Sequence, residues 1–340
     1  MRIPVIVLSG FLGSGKTTLL LRLLDEAKNR GLHPGVIMNE LGSMDVDGYI
    51  LNGHSDTVIE KLLDGCVCCS RRSELASSIQ TLSKQMPDVI FIELTGVANP
   101  EEIADALTEP QLLGLVLLKQ IVTLIDAEHV LAYNSIFESD LSLLRTLRRQ
   151  METADLIIVN KTDLVTASKL SKIDKAIRKQ NDTAVVIPAT HSQVDLDLLL
   201  ASVKKQEQQV IPVARSFRML KAVPVGHHGA KDQIKPEKTM SFSRVQTITL
   251  PIVPTTQPSR RQIEKFLLKF KEQLLRAKGY IRLKADEPVM LMQYAGKRIT
   301  WTESGYSGES YIVFIGINLN EHQLETEWNR LLQIDGIRPL

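Results

Sequence analysis

One octapeptide constrains this chain more than any other stretch of its 340 residues: Gly10-Phe11-Leu12-Gly13-Ser14-Gly15-Lys16-Thr17. The mostly aliphatic run from Ile3 to Leu8 precedes it and reads as a buried strand. An apolar-periodic helix follows, from about Lys16 to Arg30. The octapeptide fits G-x-x-x-x-G-K-S/T in the strand–loop–helix setting that the pattern needs. Glycines at 10, 13 and 15 let the backbone curl with several N–H groups turned inward and no Cβ in the way. The helix aims its positive end at the same point. Lys16 then reaches the β- and γ-phosphates of a nucleotide, and the Thr17 hydroxyl serves as a ligand for Mg²⁺. The bland alternative is a glycine-rich turn without a ligand, which the flanking strand and helix argue against. The expectation is a nucleotide-phosphate site.

The length predicts two domains. Lys and Arg number 41 against 39 Asp and Glu, so no bulk field points to nucleic acid or an acidic membrane. No leader pattern precedes the first strand and no apolar run reaches membrane-spanning length, so the expected location is cytoplasmic.

In chain order, Gly35 to Asn39 reads as a short strand. The acid- and glycine-rich stretch Asn39 to Gly48 follows it, and is read as a nucleotide-sensing loop at the carboxyl end of an open sheet. Thr57 to Leu62 is a strand and Ser73 to Met86 a helix. Asp88 to Glu93 is a buried strand that ends in Glu93-Leu94-Thr95-Gly96. An acid at the tip of an apolar strand, three before a glycine, has the form of a Walker-B element that orients Mg²⁺-bound water. Gln120 to Asp126 and Asp155 to Val159 are further strands. The second runs into Asn160-Lys161-Thr162-Asp163. An ionised Asp163 accepts from both N1–H and N2–H of guanine, a pair that adenine does not offer. Lys161 is placed to lie over the base and Asn160 to hold the loop. The competing reading of Asp163 is a helix N-cap. Ala184 to Pro188 closes the series, with Ala189-Thr190 placed to touch the base edge, and a helix is expected from Val194 to Gln209. Strands alternating with helices give an α/β fold with a doubly wound, mainly parallel P-loop NTPase sheet over residues 1–210.

Residues 211–241 are rich in Pro, Gly and Lys and read as a linker. Residues 242–340 read as a smaller α+β domain. It has strands at Ser243–Leu250, Tyr280–Lys284, Val289–Tyr294, Arg298–Trp301 and Ser310–Ile317, and helices at Ser259–Arg276 and Glu321–Gln333.

Cys66, Cys68 and Cys69 are all the cysteines there are. Packed so closely, they are no disulfide framework, and they lack the paired C-x-x-C spacing of a closed structural zinc site. Three thiolates can ligate one soft divalent transition metal and leave a fourth position open. Redox sensing and packing as small buried hydrophobes are the alternatives. His227-His228 reads as a solvated turn.

Taken together, GFLGSGKTT, NELGSMDVDG, GCVCC, ELTG and NKTD, in that order, resemble the CobW-like GTPases, relatives of the HypB and UreG metallochaperones. LLRAKGYIRL and YIVFIGINLN resemble that family's second domain. The resemblance implies a GTPase in which Gly10, Gly13, Ser14, Gly15, Lys16, Thr17 and Thr18 hold phosphate, with Mg²⁺ on Thr17 and Glu93. Asn160, Lys161 and Asp163 would select guanine. It also implies zinc, or another divalent transition metal, carried on Cys66, Cys68 and Cys69. The ion would pass to a client metalloprotein or into cofactor assembly, with a nucleotide- or metal-dependent homodimer as a further partner. Many relatives carry an acid at the position of Ser43 and some at that of Met38, which leaves Glu40, Asp45 or Asp47 as substitutes for the fourth ligand. The alternative is a zinc buffer or sensor in which GTP hydrolysis is uncoupled from delivery.

Overall fold

The computed structural model describes residues 2–39, 58–62, 70–135, 141–205, 243–252, 258–284 and 287–332. The expected sensing loop beyond Asn39, the cysteine cluster, the linker at 211–241 and the tract at His227 lie outside those residues.

The first strand, β1 (Ile3–Ser9), has both faces covered, which is why it reads as one apolar run rather than an alternation. Its odd residues Ile3, Val5 and Val7 join one core, and Ile6 and Leu8 join another. The second core is closed by helix α1 (Lys16–Asn29), which buries Leu19, Leu20, Leu23, Leu24 and Ala27 along a single stripe. Five further strands follow: β2 (Pro34–Asn39), β3 (Val58–Leu62), β4 (Val89–Glu93), β6 (Leu156–Asn160) and β7 (Val185–Pro188), with helices between all but β2 and β3 among the described residues. The remaining strand, β5 (Val116–Asp126), begins four residues before the expected start at Gln120. All pairings are parallel, in the order β3-β2-β4-β1-β5-β6-β7. The carboxyl ends of the central strands therefore open on one edge, where ligands bind in such sheets. The intervening helices are α2 (Ser70–Ser83), α3 (Glu101–Ala106), α4 (Val130–Tyr133), α5 (Leu141–Thr153) and α6 (Ala167–Gln180). Among the described residues no helix is long and apolar enough to cross a membrane.

The helix expected over Val194–Gln209 is one turn, α7 (Asp197–Leu200), within the residues described. Asp195 Oδ1 accepts the Asp197 N–H at 2.9 Å, a local bond that favours a turn over an earlier helix start.

The carboxyl-terminal domain is an antiparallel five-stranded sheet, ordered β11-β10-β9-β12-β8, with two helices. The elements are β8 (Val245–Pro251), α8 (Arg260–Lys269), β9 (Leu274–Arg282), β10 (Val289–Ala295), β11 (Arg298–Glu303), β12 (Tyr311–Ile317) and α9 (Glu321–Leu331). Helix α8 starts where expected, on a Ser259–Gln262 capping box. It stops at Lys269, and the rest of the expected helix through Arg276 is corrected to a turn and the start of β9. The cause is tertiary: β9 is flanked by β10 and β12, and those two ladders outweigh local helical periodicity.

Strand β12 is buried on both faces. Ile312 and Phe314 pack with α8 and α9, whereas Tyr311, Val313 and Ile315 join the first-domain core beside Ile103, Ala104 and Leu107. Around this apolar seam, α3 and its extension present acids to the basic β9. Arg276 meets Glu102 at 3.0 Å and Asp105 at 3.4 Å, Lys278 pairs with Glu109, and Tyr280 donates to Glu109 Oε2 at 3.1 Å.

A second tie is Asp155, before β6. Its carboxylate accepts from the Ile121 N–H at 2.6 Å, the Ser243 hydroxyl at 3.0 Å and the Arg244 N–H. Burial pushes this carboxyl up to about 6 from the ordinary 3.8, against the opposing pull of those donors and of the Arg244 charge. The folded protein thus keeps a proton that the unfolded chain has released. That contribution is full below about pH 4 and is lost as pH rises through about 6. Wild type should lose roughly 3 kcal/mol relative to Asp155→Asn between pH 4 and pH 7, the equivalent of about two pKa units. Urea unfolding of both proteins across that range measures it, and a constant difference contradicts it.

Candidate active site

The loop between β1 and α1 carries three positive-φ glycines, Gly10 at 129°, Gly13 at 76° and Gly15 at 104°. Gly10 and Gly15 are also sterically required. A Cβ at Gly10 would collide with the Leu124 carbonyl oxygen, and one at Gly15 with the Asn160 amide and the Ser192 hydroxyl. The loop is therefore built against β5 on one side and the Asn160 loop on the other.

Lys16 is buried, and its ammonium donates to the Gly10 carbonyl at 2.8 Å and the Phe11 carbonyl at 3.1 Å. Burial pulls it below the ordinary lysine value, and the charge of Glu93 works the other way. Thr17 donates from Oγ1 to Glu93 Oε1 at 2.8 Å, so the two residues expected at Mg²⁺ are brought together across 76 positions of sequence. Burial raises the Glu93 carboxyl, opposed by the Thr17 hydrogen bond and by Lys16. Its other oxygen, Oε2, is buried with no hydrogen-bond partner among the described residues, as is Ser14 Oγ. An orphaned carboxylate oxygen beside a threonine hydroxyl is the donor set a hard cation takes, so Mg²⁺ fits these residues.

A cleft of about 560 Å³ opens here. It is lined by Gly13, Gly15, Lys16, Thr17 and Thr18, by Glu93 to Val97, and by Tyr133 and Leu143. The last two lay beyond the sequence reading, since nothing in α4 or α5 marks them as site residues.

Asn160 is the hub between loops. Its Nδ2 donates to the Ser14 carbonyl at 2.9 Å and to Ser192 Oγ at 3.1 Å, and its Oδ1 accepts from the Ser192 N–H at 2.9 Å. Ser192 Oγ in turn donates to the Gly15 carbonyl at 3.0 Å. Asn160 thus ties the loop after β6 to the glycine-rich loop and to Ser192, which no local pattern marks. Ser192 is buried, and with His191 it forms two successive left-handed residues. Thr162 donates its N–H and hydroxyl to the Ala189 carbonyl, at 3.1 and 3.0 Å, which zips the Ala189-Thr190 segment to the Asn160 loop. Asp163 stands exposed in a 3₁₀ turn, Thr162–Leu164.

Lys161, at φ 60°, spends its charge on Asp126 at the end of β5, Nζ to Oδ2 at 2.7 Å. Burial acts to raise Asp126, but hydrogen bonds from Lys161, the Glu128 N–H and His129 outweigh it and hold the carboxyl below its ordinary value. Asp126 was invisible as a site residue because its only signal is a place at a strand tip. Glu128 and His129 bring ligand atoms within 4.8 Å of it, although the Lys161 ammonium already sits on that carboxylate.

For the expected transition-metal ligands the structure describes the flanks alone. Strands β2 and β3 end side by side, with Asn39 paired to Leu62, and α2 begins at Ser70. The last described residues before the two undescribed segments, Asn39 and Leu62, thus end adjacent strands. Met38, buried in β2, pairs with Glu93 across the ladder.

Residues 4–188 match the family described as CobW/HypB/UreG, nucleotide-binding domain, and residues 250–332 match the cobalamin synthesis protein CobW C-terminal domain. A relative named zinc chaperone YjiA, from Escherichia coli strain K12, is 28% identical over 336 residues, which are 95% of this chain and 96% of its own. A Sinorhizobium protein named zinc chaperone CobW is 32% identical over 225 residues, 58% of this chain and 62% of its own. The zinc-regulated GTPase metalloprotein activator 1 of Schizosaccharomyces pombe is 34% identical over 203 residues, 57% of this chain and 47% of its own. The last two matches thus span less than two thirds of those relatives. With its nucleotide-binding region matched over more than half its length, the chain belongs to the CobW/HypB/UreG family.

Proposed function

We propose that this protein is a GTP-binding, GTP-hydrolysing metallochaperone that couples its nucleotide state to the binding and transfer of a divalent transition metal, zinc in the first instance. The observation that carries the reading is the Thr17–Glu93 pair, with Glu93 Oε2 unmet inside the cleft of the phosphate-type loop. Bound Mg²⁺ supplies charge neutralisation of the phosphate oxygens. The protein's own residues do the rest. Backbone N–H groups of Gly13, Ser14 and Gly15, with Thr18, hold phosphate. Lys16 exchanges the Gly10 and Phe11 carbonyls for phosphate oxygens, and Asp163 takes the guanine edge while Lys161, anchored on Asp126, walls the base.

The coupling step is loop order. The expected sensing loop follows β2, and the Glu93–Gly96 loop follows β4; these two strands are parallel neighbours, with Met38 paired to Glu93. Closing the two loops on a triphosphate acts on the adjacent cysteine-bearing connection after β3. Cys66, Cys68 and Cys69 hold the ion, and hydrolysis by in-line water attack, releasing GDP and phosphate, lets it go. The names of the relatives, zinc chaperone and zinc-regulated GTPase metalloprotein activator, support the same assignment. In this reading residues 1–210 handle nucleotide, 211–241 link, and 242–340 form the second domain. The protein acts in the cytoplasm and hands its ion to a client metalloprotein, with a homodimer as one nucleotide-dependent state. Zinc affinity compared between nucleotide states tests it, because a ligand with equal affinity for both states drives no switch.

A further inference from the structure

Gln150, on α5, is fully buried. It donates from Nε2 to two carbonyls of the loop after β4, Gly96 at 3.2 Å and Ala98 at 3.0 Å. Its Oε1 is buried and has no hydrogen-bond partner among the described residues. A half-satisfied amide is an expensive way to fill a core, and an apolar side chain of the same volume would pack there without that cost. The contacts to the loop are what distinguish glutamine here. Its neighbourhood is braced as well: the Gln150 carbonyl accepts from the Thr123 hydroxyl of β5 at 2.9 Å, and Arg149 meets Glu101, at the start of α3 just after the loop, at 3.4 Å.

The consequence lies in a peptide plane. All described peptide bonds are trans, and across a trans peptide the C=O and the following N–H point in opposite directions. By drawing the Gly96 carbonyl inward, Gln150 turns the Val97 N–H away from the core. Gly96 and Val97 line the same cleft as Lys16 and Thr17, and Val97 is 63% exposed. The loop already lies against the phosphate-type loop, since a Cβ on Gly96 would come within 2.6 Å of the Leu12 nitrogen.

We propose that Gln150 is a positioning residue: it aims the Val97 N–H at the terminal phosphate of a bound triphosphate and so sets the preference for GTP over GDP. This rests on the nucleotide reading above. GDP lacks the group that the Val97 N–H would meet, so losing Gln150 weakens the triphosphate alone.

The test uses Gln150→Met, which keeps the volume and removes both donors, and Gln150→Glu, which keeps the shape and replaces the donor with an acceptor. Affinities for a fluorescent GDP and for a non-hydrolysable GTP analogue, both with Mg²⁺, are measured beside thermal unfolding. The expected result is a roughly five- to tenfold loss for the GTP analogue, the size of one hydrogen bond, with GDP affinity within about twofold of wild type. A folded variant with an unchanged GTP-to-GDP ratio overturns the assignment. Equal losses for both nucleotides do so too, because a general loosening of the fold produces that pattern. If wild type binds neither nucleotide, the nucleotide reading itself fails and Gln150 falls with it. Should neither variant fold, amide hydrogen exchange on the wild-type protein decides. The Val97 N–H is expected to exchange more slowly with the GTP analogue than with GDP, and equal rates overturn the proposal.

Discussion

Replacing Lys16 with alanine is expected to cut GTP turnover by roughly 10²- to 10³-fold, the loss that follows removal of one preorganised charge-stabilising donor, while leaving the fold no less stable. The two halves of this expectation have one cause. The Lys16 ammonium is buried with two neutral carbonyls, Gly10 and Phe11, as its acceptors, and burial holds it below the ordinary lysine value even though Glu93 pulls the other way. A desolvated cation with no direct ion pair among the described residues is a cost to the folded state. In the proposed nucleotide complex phosphate oxygens replace those two carbonyls as acceptors, and only then is the cost of the buried charge offset. Alanine removes the cost and the function together, as expected where a local rule is broken for the sake of a site. Phosphate release and thermal unfolding measured on the same preparation check both halves. Turnover close to wild type contradicts the site assignment. Lost turnover together with a large drop in melting temperature contradicts the energetic account.

Gly10→Ala should be the most damaging single substitution in the loop, at about 3–5 kcal/mol of stability. Two independent effects meet at this position. Its φ of 129° lies where an L side chain is strained, and a Cβ there would strike the Leu124 carbonyl oxygen and crowd Ser14 Oγ at 3.0 Å. Leu124 belongs to β5, paired on one side with β1 and on the other with β6, so its backbone has nowhere to retreat. Gly13 supplies the control. Its φ is 76°, and a Cβ there meets nothing within 4 Å, so Gly13→Ala carries the conformational cost alone, about 1–2 kcal/mol. Urea unfolding of the two variants separates clash from strain, and equal losses would show that the contact with Leu124 plays no part.

The parts of the site legible in the sequence are those whose chemistry requires contiguous residues. A phosphate loop needs its glycines, lysine and threonine at fixed offsets, and the Asn160–Asp163 tetrad follows directly on an aliphatic strand. What escaped the reading is built from residues far apart in sequence. Asp126 and Lys161 are 35 positions apart, and Asn160 and Ser192 are 32 apart. Gln150 reaches back 54 positions to Gly96. Asp126, Gln150 and Ser192 have no local pattern to announce them, since each is a polar residue whose meaning comes from the sheet order. The fold shows the same division. Two-sided burial made β1, β4 and β6 plain as apolar runs, whereas α3 is too short to carry periodicity. The segment Leu274–Arg276 continued a helical pattern until pairing with β10 and β12 claimed it for β9.

The central claim is that nucleotide state and metal affinity are linked. The measurement that tests it most directly is zinc affinity by competition with a chromogenic chelator. It is run on the nucleotide-free protein, with Mg²⁺ and GDP, and with Mg²⁺ and a non-hydrolysable GTP analogue, with the Cys66/Cys68/Cys69 triple serine variant alongside. The account predicts that affinity moves about tenfold between the GDP and GTP-analogue states, about 1.4 kcal/mol of coupling, and that the variant abolishes the change. Equal affinity in all three states would contradict it and leave a zinc buffer or sensor whose GTP hydrolysis is not coupled to delivery.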